Sequence, residues 1–254
     1  MRHETTLLAF PALNEAAHVP RLAGFATEVV AAGLAGRVVL LDGGSTDDSV
    51  ALADDHGLAV VAAAELAGRP VRGKGDSVAA LLRSTDAERV VLLDADVEGL
   101  TTRSVEVLLG ALTGEVALVK GVCRRLDPAS GTVRSGRVSE LVARPALELL
   151  GSRLAGLRDP LSGQVAVRTA AVRDLDLHPG YGLELSMLLG LEAAHGSGSV
   201  AEVDLEPIAH RHKDVDELAV VAREVMDVAL ATARARASSE SAVPALPSHP
   251  PEPS

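Results

Sequence analysis

The stretch that most constrains this chain is Arg89–Asp96, RVVLLDAD. An unbroken apolar run bounded by polar residues predicts a strand covered on both faces, as in a parallel sheet. Two carboxylates, Asp94 and Asp96, follow it at once. Charges at the end of a buried strand are costly unless something neutralises them. Ligands of open α/β sheets bind at the carboxyl ends of the strands. A divalent cation carrying a substrate's phosphates is the usual partner of one or two carboxylates there. On these residues alone, capping of the following turn explains the pair equally well.

The first half of the chain alternates strand and helix. Thr5–Phe10, broken by Pro11, predicts the first strand, with the loop Pro11–Glu15 (PALNE) at its carboxyl end. Pro20 opens a helix that runs through Val30 and is closed by Gly33 and Gly36. Arg37–Leu41 is a second buried strand, ending in Asp42-Gly43-Gly44-Ser45-Thr46-Asp47-Asp48, where two glycines permit close approach to a ligand. A helix to about His56, a strand at Leu58–Ala63, a helix from Gly73-Lys74-Gly75 through Ser84, a helix at Thr102–Leu112 and a strand at Val116–Gly121 continue the pattern. This order predicts an α/β, Rossmann-like nucleotide-binding sheet flanked by helices. The chain has neither Gly-x-Gly-x-x-Gly after the first strand nor a Walker-type loop, which argues against dinucleotide and P-loop enzymes. Lys74, between glycines at a helix start, suits an anion, or is a solvated loop lysine.

Beyond Asp127 the texture changes. Five arginines lie between 124 and 144 in a chain of net charge −11. They form either a solvated basic face or a pocket for a small anion, since guanidinium forks match carboxylate and phosphate. Further helices are expected from Gly136 to Leu150, from Gly180 to His195 and from Val215 to Arg236, with strands leading to Arg168 and at Val200–Leu205. His210-Arg211-His212-Lys213 is a polar loop or part of a metal site. The Ser/Pro/Ala/Glu-rich stretch Ala237–Ser254 reads as a disordered tail.

Composition narrows the function. Apolar residues make up 47 % of the chain but aromatics only 1 %, so the core must be Ala, Val and Leu. Few rings and a strongly acidic balance argue against nucleic-acid binding. One cysteine, Cys123, allows no internal disulfide. No apolar run is long enough for a membrane span, and MRHETTLLAF is a poor signal peptide, so a cytoplasmic enzyme is expected.

PALNE, the Asp-Gly-Gly-Ser-Thr-Asp-Asp loop, Gly-Lys-Gly and Asp-x-Asp, in this order and at these spacings, resemble the GT-A glycosyltransferases. In the second half Gly136–Leu147, Pro160–Arg168, Pro179–Leu189 and Ala209–Val225 resemble the glucosyl-3-phosphoglycerate synthase family. The resemblance implies a nucleotide-sugar-binding half at 1–127, an acceptor-binding half with a C-terminal helix at 128–236, and the tail. It implies a retaining hexosyltransferase that uses Mg²⁺ or Mn²⁺, UDP-glucose as donor and 3-phosphoglycerate as leading acceptor, working as a homodimer. Pro11, Ala12, Leu13, Asn14 and Glu15 would line the uridine and ribose site, with Asp42 and Gly43 by the base. Lys74 would contact the phosphates. Asp94 would hold ribose or sugar hydroxyls, with Ala95 beside it, and Asp96 would bind the metal together with His210. Gly136, Arg137, Val138 and Ser139 would hold the acceptor's phosphate. Leu161, Gly163, Tyr181 and Glu184 would surround the sugar. Arg211 and Lys213 would close over the diphosphate or acceptor. Catalysis would rest on Glu184, Lys74 and Asp96. The incoming hydroxyl would arrive on the face of the departing diphosphate, which would accept its proton.

The chain departs from the family's pattern at Gly43, Ser139, Gln164, Ile208 and His212, where Ser, Thr, Glu, Arg and Asn are usual. The resemblance then implies that the metal and nucleotide machinery is kept while sugar and acceptor contacts are altered. A related acceptor in specialised metabolism is therefore a second expectation, and a sugar-phosphate nucleotidyltransferase a third.

Overall fold

The computed structural model describes residues 5–123, 125–126, 133–134, 136–206 and 214–241, with 125–126, 133–134 and 239–241 described for backbone only. Nine strands are assigned there: β1 Thr6–Ala12, β2 Arg37–Asp42, β3 Ala59–Ala62, β4 Arg89–Leu92, β5 Leu118–Val122, β6 Arg125–Leu126, β7 Val133–Arg134, β8 Val165–Arg168 and β9 Val200–Asp204. The α-helices are α1 Val19–Ala31, α2 Ser49–Asp55, α3 Ala63–Ala67, α4 Lys74–Ser84, α5 Thr102–Ala111, α6 Arg144–Leu149, α7 Thr169–Val172, α8 Leu183–His195 and α9 Val215–Ser241. A π-helical turn, Ser139–Ala143, leads into α6.

Seven strands form one sheet in the order β3-β2-β1-β4-β8-β5-β9, and β6 pairs with β7 separately. Successive residues of each central strand go to opposite faces, and both faces are buried. Leu8, Phe10, Leu40, Val91 and Val119 pack with α1 and α5. Leu7, Leu41, Val90, Leu92, Leu118 and Val165 pack with α4 and α8. That double burial is why the strands read as continuous apolar runs rather than alternating ones. A third cluster joins Leu147, Leu185, Val225 and Val228, seating α9 on α6 and α8.

Three features differ from the expectations. The sheet is not wholly parallel: β8 runs antiparallel to both β4 and β5, with Leu92 opposite Val165. The strand that Pro11 was expected to end continues to Ala12. Pairing with β4 stops at Ala9, so Pro11 faces only β2 and its missing N–H costs no second ladder bond. The stretch expected to be a tail from Ala237 begins inside α9, where the Arg236 guanidinium caps the Leu150 carbonyl; residues 242–254 lie outside the described residues. No helix among the described residues is long and apolar enough to cross a membrane.

Candidate active site

The site begins where α4 meets the segment before α8. Asp76, in the first turn of α4, accepts from Arg69 at 2.8 Å and from Arg72 at 3.0 Å, tying the preceding loop to the helix. These guanidinium hydrogen bonds, Arg69 foremost, hold the Asp76 carboxyl far below its ordinary value. The Asp76 N–H donates to the Pro179 carbonyl at 2.8 Å. Gly75 is what allows this approach: a Cβ there would stand 1.9 Å from the His178 carbonyl oxygen. The start of α4 is thereby pressed against the start of α8.

That contact delivers Lys74, the first residue of α4, to Glu184, in the first turn of α8. The Lys74 ammonium lies 2.8 Å from Asp94 Oδ1 and 2.8 Å from Glu184 Oε1. Burial alone would lower the lysine's pKa, but the two carboxylates more than offset it and hold the group well above its ordinary value. A cation at a helix N-terminus meets the wrong end of the dipole. The carboxylates compensate, and Glu184 itself sits at the favourable end of α8.

Asp94 and Asp96 lie just past β4, in the turn that follows it, both half-buried. Arg21 on α1 donates to the Ala95 carbonyl at 2.8 Å and steadies that turn. Gly163 is packed against the Asp94 carboxylate: a Cβ would fall 2.2 Å from Oδ2. Gln164 also bonds to Asp94.

The two nucleotide-side loops are stitched to each other. The Asn14 side-chain oxygen accepts from the Thr46 N–H at 2.8 Å, while its own N–H donates to Ser45 Oγ at 2.9 Å. Asn14 has a left-handed backbone, φ 59°. The Glu15 N–H donates to Ser49 Oγ at 2.8 Å. Asp42 accepts from the Gly44 and Ser45 N–H groups, and the Gly43 N–H donates to the Ala12 carbonyl. Pro11–Glu15 and Asp42–Gly43 thus form one rim beside the carboxyl ends of β1 and β2, with Leu13 exposed on it.

On the acceptor side Arg137 is exposed and Val138 buried. Ser139 is buried as well, and its hydroxyl donates to Asp159 at 2.6 Å. Leu161 is half-buried, while Tyr181 is exposed and donates its N–H to the Glu224 carboxylate of α9. Beneath these groups Lys120 of β5 is 1 % exposed, on the same sheet face as Leu118 and under α8. Burial drives its pKa down, against the pull of Glu184 and Asp159.

The structure therefore brings Lys74, Asp94, Gly163 and Glu184 together, with Asp96 two residues on. His210, Arg211 and Lys213 lie outside the described residues, as do Ile208 and His212. Among the described residues no cluster of three or more His, Cys, Asp and Glu forms a cation site. A cation carried by a diphosphate needs only one or two protein carboxylates or imidazoles, since the phosphates supply further oxygens; half-buried Asp96 suits that need. Sequence reasoning missed Arg21, Lys120 and the linking role of Gln164. The one signal for Lys120 was a lysine inside an otherwise apolar strand.

A mixed sheet with paired loops after β1 and β2, a lysine at the head of α4 and an Asp-x-Asp turn after β4 defines a GT-A glycosyltransferase. Comparison with known proteins makes this particular. The chain is 37 % identical over 232 residues to the glucosyl-3-phosphoglycerate synthase of Mycobacterium tuberculosis, covering 87 % of this chain and 71 % of that protein. It is 31 % identical to the synthase of Petrotoga mobilis, over 88 % of this chain and 71 % of that one. The crystal structure of the M. tuberculosis enzyme with Mn²⁺ and UDP-glucose superimposes with a TM-score of 0.81 at 34 % identity, over 90 % of this chain and 79 % of the other. The same enzyme with phosphoglyceric acid gives 0.81 over 90 % and 80 %. No protein-family profile matches the chain. The chain belongs to the glucosyl-3-phosphoglycerate synthase family, and it is a glycosyltransferase.

Proposed function

We propose that this protein transfers glucose from UDP-glucose to the hydroxyl of 3-phosphoglycerate with retention, supported by Mn²⁺ or Mg²⁺. The observation that carries the reading is the Lys74–Asp94–Glu184 cluster at the carboxyl end of β4, in a family whose M. tuberculosis member was crystallised with Mn²⁺, UDP and glucosyl-3-phosphoglycerate. Asp96 and His210 would hold the cation, which when bound neutralises charge on the departing diphosphate. Lys74 adds fixed positive charge beside the same oxygens. Asp94 orients donor hydroxyls, and Glu184 faces the sugar carbon as positive character develops there. Glu184 is not assigned as a covalent nucleophile: the incoming hydroxyl arrives on the face of the departing diphosphate, which accepts its proton.

Gly136–Ser139 and Arg137 supply the acceptor's phosphate site, with Arg211 and Lys213 closing over the substrates. Arg137 is exposed at the start of that helical segment, where a phosphate can reach both it and the backbone N–H groups. Exposed Leu141, Leu149, Met226 and Leu230 on neighbouring helices support a homodimer, which we place in the cytoplasm. The test is product analysis with UDP-glucose, Mn²⁺ and 3-phosphoglycerate. UDP and a glucosylated phosphoglycerate are expected. Pyrophosphate as product would establish a nucleotidyltransferase, and UDP release only with a different acceptor would move the acceptor assignment.

A further inference from the structure

Both hydrogen bonds of the Gln164 side chain go to one residue. The Asp94 backbone N–H donates to Gln164 Oε1 at 3.1 Å, and Gln164 Nε2 donates to Asp94 Oδ2 at 3.0 Å. The first bond fixes how the amide is turned: an N–H can only donate, so the amide oxygen must face it and the NH₂ group is left for the carboxylate. Gln164 is 2 % exposed. Its own backbone is held on both sides, the N–H by Ser162 Oγ at 3.2 Å and the carbonyl by the Gly121 N–H at 2.8 Å. The antiparallel pairing of β4 with β8 places this residue, the one before β8, beside the turn that leaves β4.

The Asp94 carboxylate is consequently gripped by Lys74 on one oxygen and by Gln164 on the other. A glutamate at 164, the residue usual in the family, would keep an acceptor for the Asp94 N–H and would have to carry a proton to meet Oδ2. A methionine would satisfy neither group.

We infer that Gln164 is a positioning residue for the transferred sugar, fixing the Asp94 carboxylate where it meets the donor's sugar hydroxyls. The inference rests on the reading of the chain as a UDP-glucose-dependent transferase. It separates the sugar from the nucleotide in donor recognition, because β4 stands between β8, which Gln164 precedes, and the strands β1 and β2 that carry the rim of Pro11–Glu15 and Asp42–Gly43.

The test compares the parent with Gln164→Asn and Gln164→Met. Calorimetry gives Kd for UDP and for UDP-glucose, each with Mn²⁺, and steady-state assays give kcat. UDP affinity is expected to stay within about twofold, while UDP-glucose binds about 10- to 100-fold more weakly and kcat falls by a similar factor. If Gln164→Met does not fold, Gln164→Asn, whose amide is one methylene too short to hold both groups of Asp94, carries the comparison. Unchanged UDP-glucose affinity and kcat, or equal loss for UDP and UDP-glucose, would overturn the inference alone. A parent protein that binds UDP-glucose no differently from UDP and turns neither over would overturn the donor reading beneath it.

Discussion

The ammonium of Lys74 reaches Glu184 Oε1 at 2.8 Å, across 110 positions of sequence. Because Asp94 shares the same ammonium, removing Lys74 leaves two carboxylates facing each other. Lys74→Met is expected to lower kcat/KM by about 100- to 1,000-fold, and Glu184→Gln by less, since it keeps a partner for the lysine. A folded Lys74 pKa above the unfolded value gives stability that is complete below about 10.5 and is lost as pH rises through the folded value. The stability deficit of Lys74→Met should thus be flat from about pH 6 to about pH 9. Urea unfolding across that range checks it; a deficit that grows with pH would contradict the assignment.

Lys120 has the opposite sign. Its folded pKa lies below the ordinary 10.5, chiefly through burial. The unfolded chain then holds the proton more tightly, so the cost to stability is full below the folded pKa, shrinks as pH rises from there, and is gone above about 10.5. Lys120→Met is expected to raise the unfolding free energy at neutral pH by about 1 kcal/mol or more, with the gain fading towards alkaline pH. Activity should fall about 10-fold, because Glu184 and Asp159 lose the amine group beneath them. Paired urea melts and initial rates measure both; a variant less stable than the parent at neutral pH would refute this account.

Two glycines should fail in different ways. At Gly163 an added Cβ meets the movable end of the Asp94 side chain, at 2.2 Å. Gly163→Ala is expected to fold with a loss of stability within about 1 kcal/mol, yet to lose most of its activity as Asp94 swings off Lys74. At Gly75 the added Cβ meets the His178 backbone carbonyl at 1.9 Å, which cannot step aside without moving the start of α8. Gly75→Ala is expected to cost about 1–3 kcal/mol or more. Thermal melts set beside turnover numbers distinguish the two behaviours.

Removal of divalent metal should abolish turnover, and added Mn²⁺ should restore it. Asp96→Ala and His210→Ala are each expected to raise the Mn²⁺ concentration needed for half-maximal rate by about 10-fold or more. Metal titrations of initial rate provide the measurement. Parent-like titrations in both variants would remove these residues from the metal site.

Much of this arrangement was readable before any coordinates. Runs such as Val90–Leu93 and Val38–Leu41 announce strands because both faces of the sheet are covered, and Pro20 and Gly33 mark the ends of α1 by backbone chemistry alone. What stayed hidden depends on contacts between distant residues. Nothing in Val165–Arg168 states the direction in which that strand runs, since an apolar run has no polarity. The Lys74–Glu184 and Gln164–Asp94 links exist only once α4, α8 and β8 have been brought to the same end of the sheet. Family resemblance named Lys74 and Glu184 as site residues without predicting their contact. It marked Gln164 only as a departure.

The reversed strand β8 fills the gap between β4 and β5, although it follows them in sequence by dozens of residues. A nascent polypeptide emerging from the ribosome therefore cannot seal the middle of its sheet until this late piece arrives. Until then the edge of β4 stands open and Asp94 lacks its amide companion. Gln164 arrives with the strand that closes the sheet and Glu184 follows on α8, so a truncated product halted before Val165 has no working centre to expose.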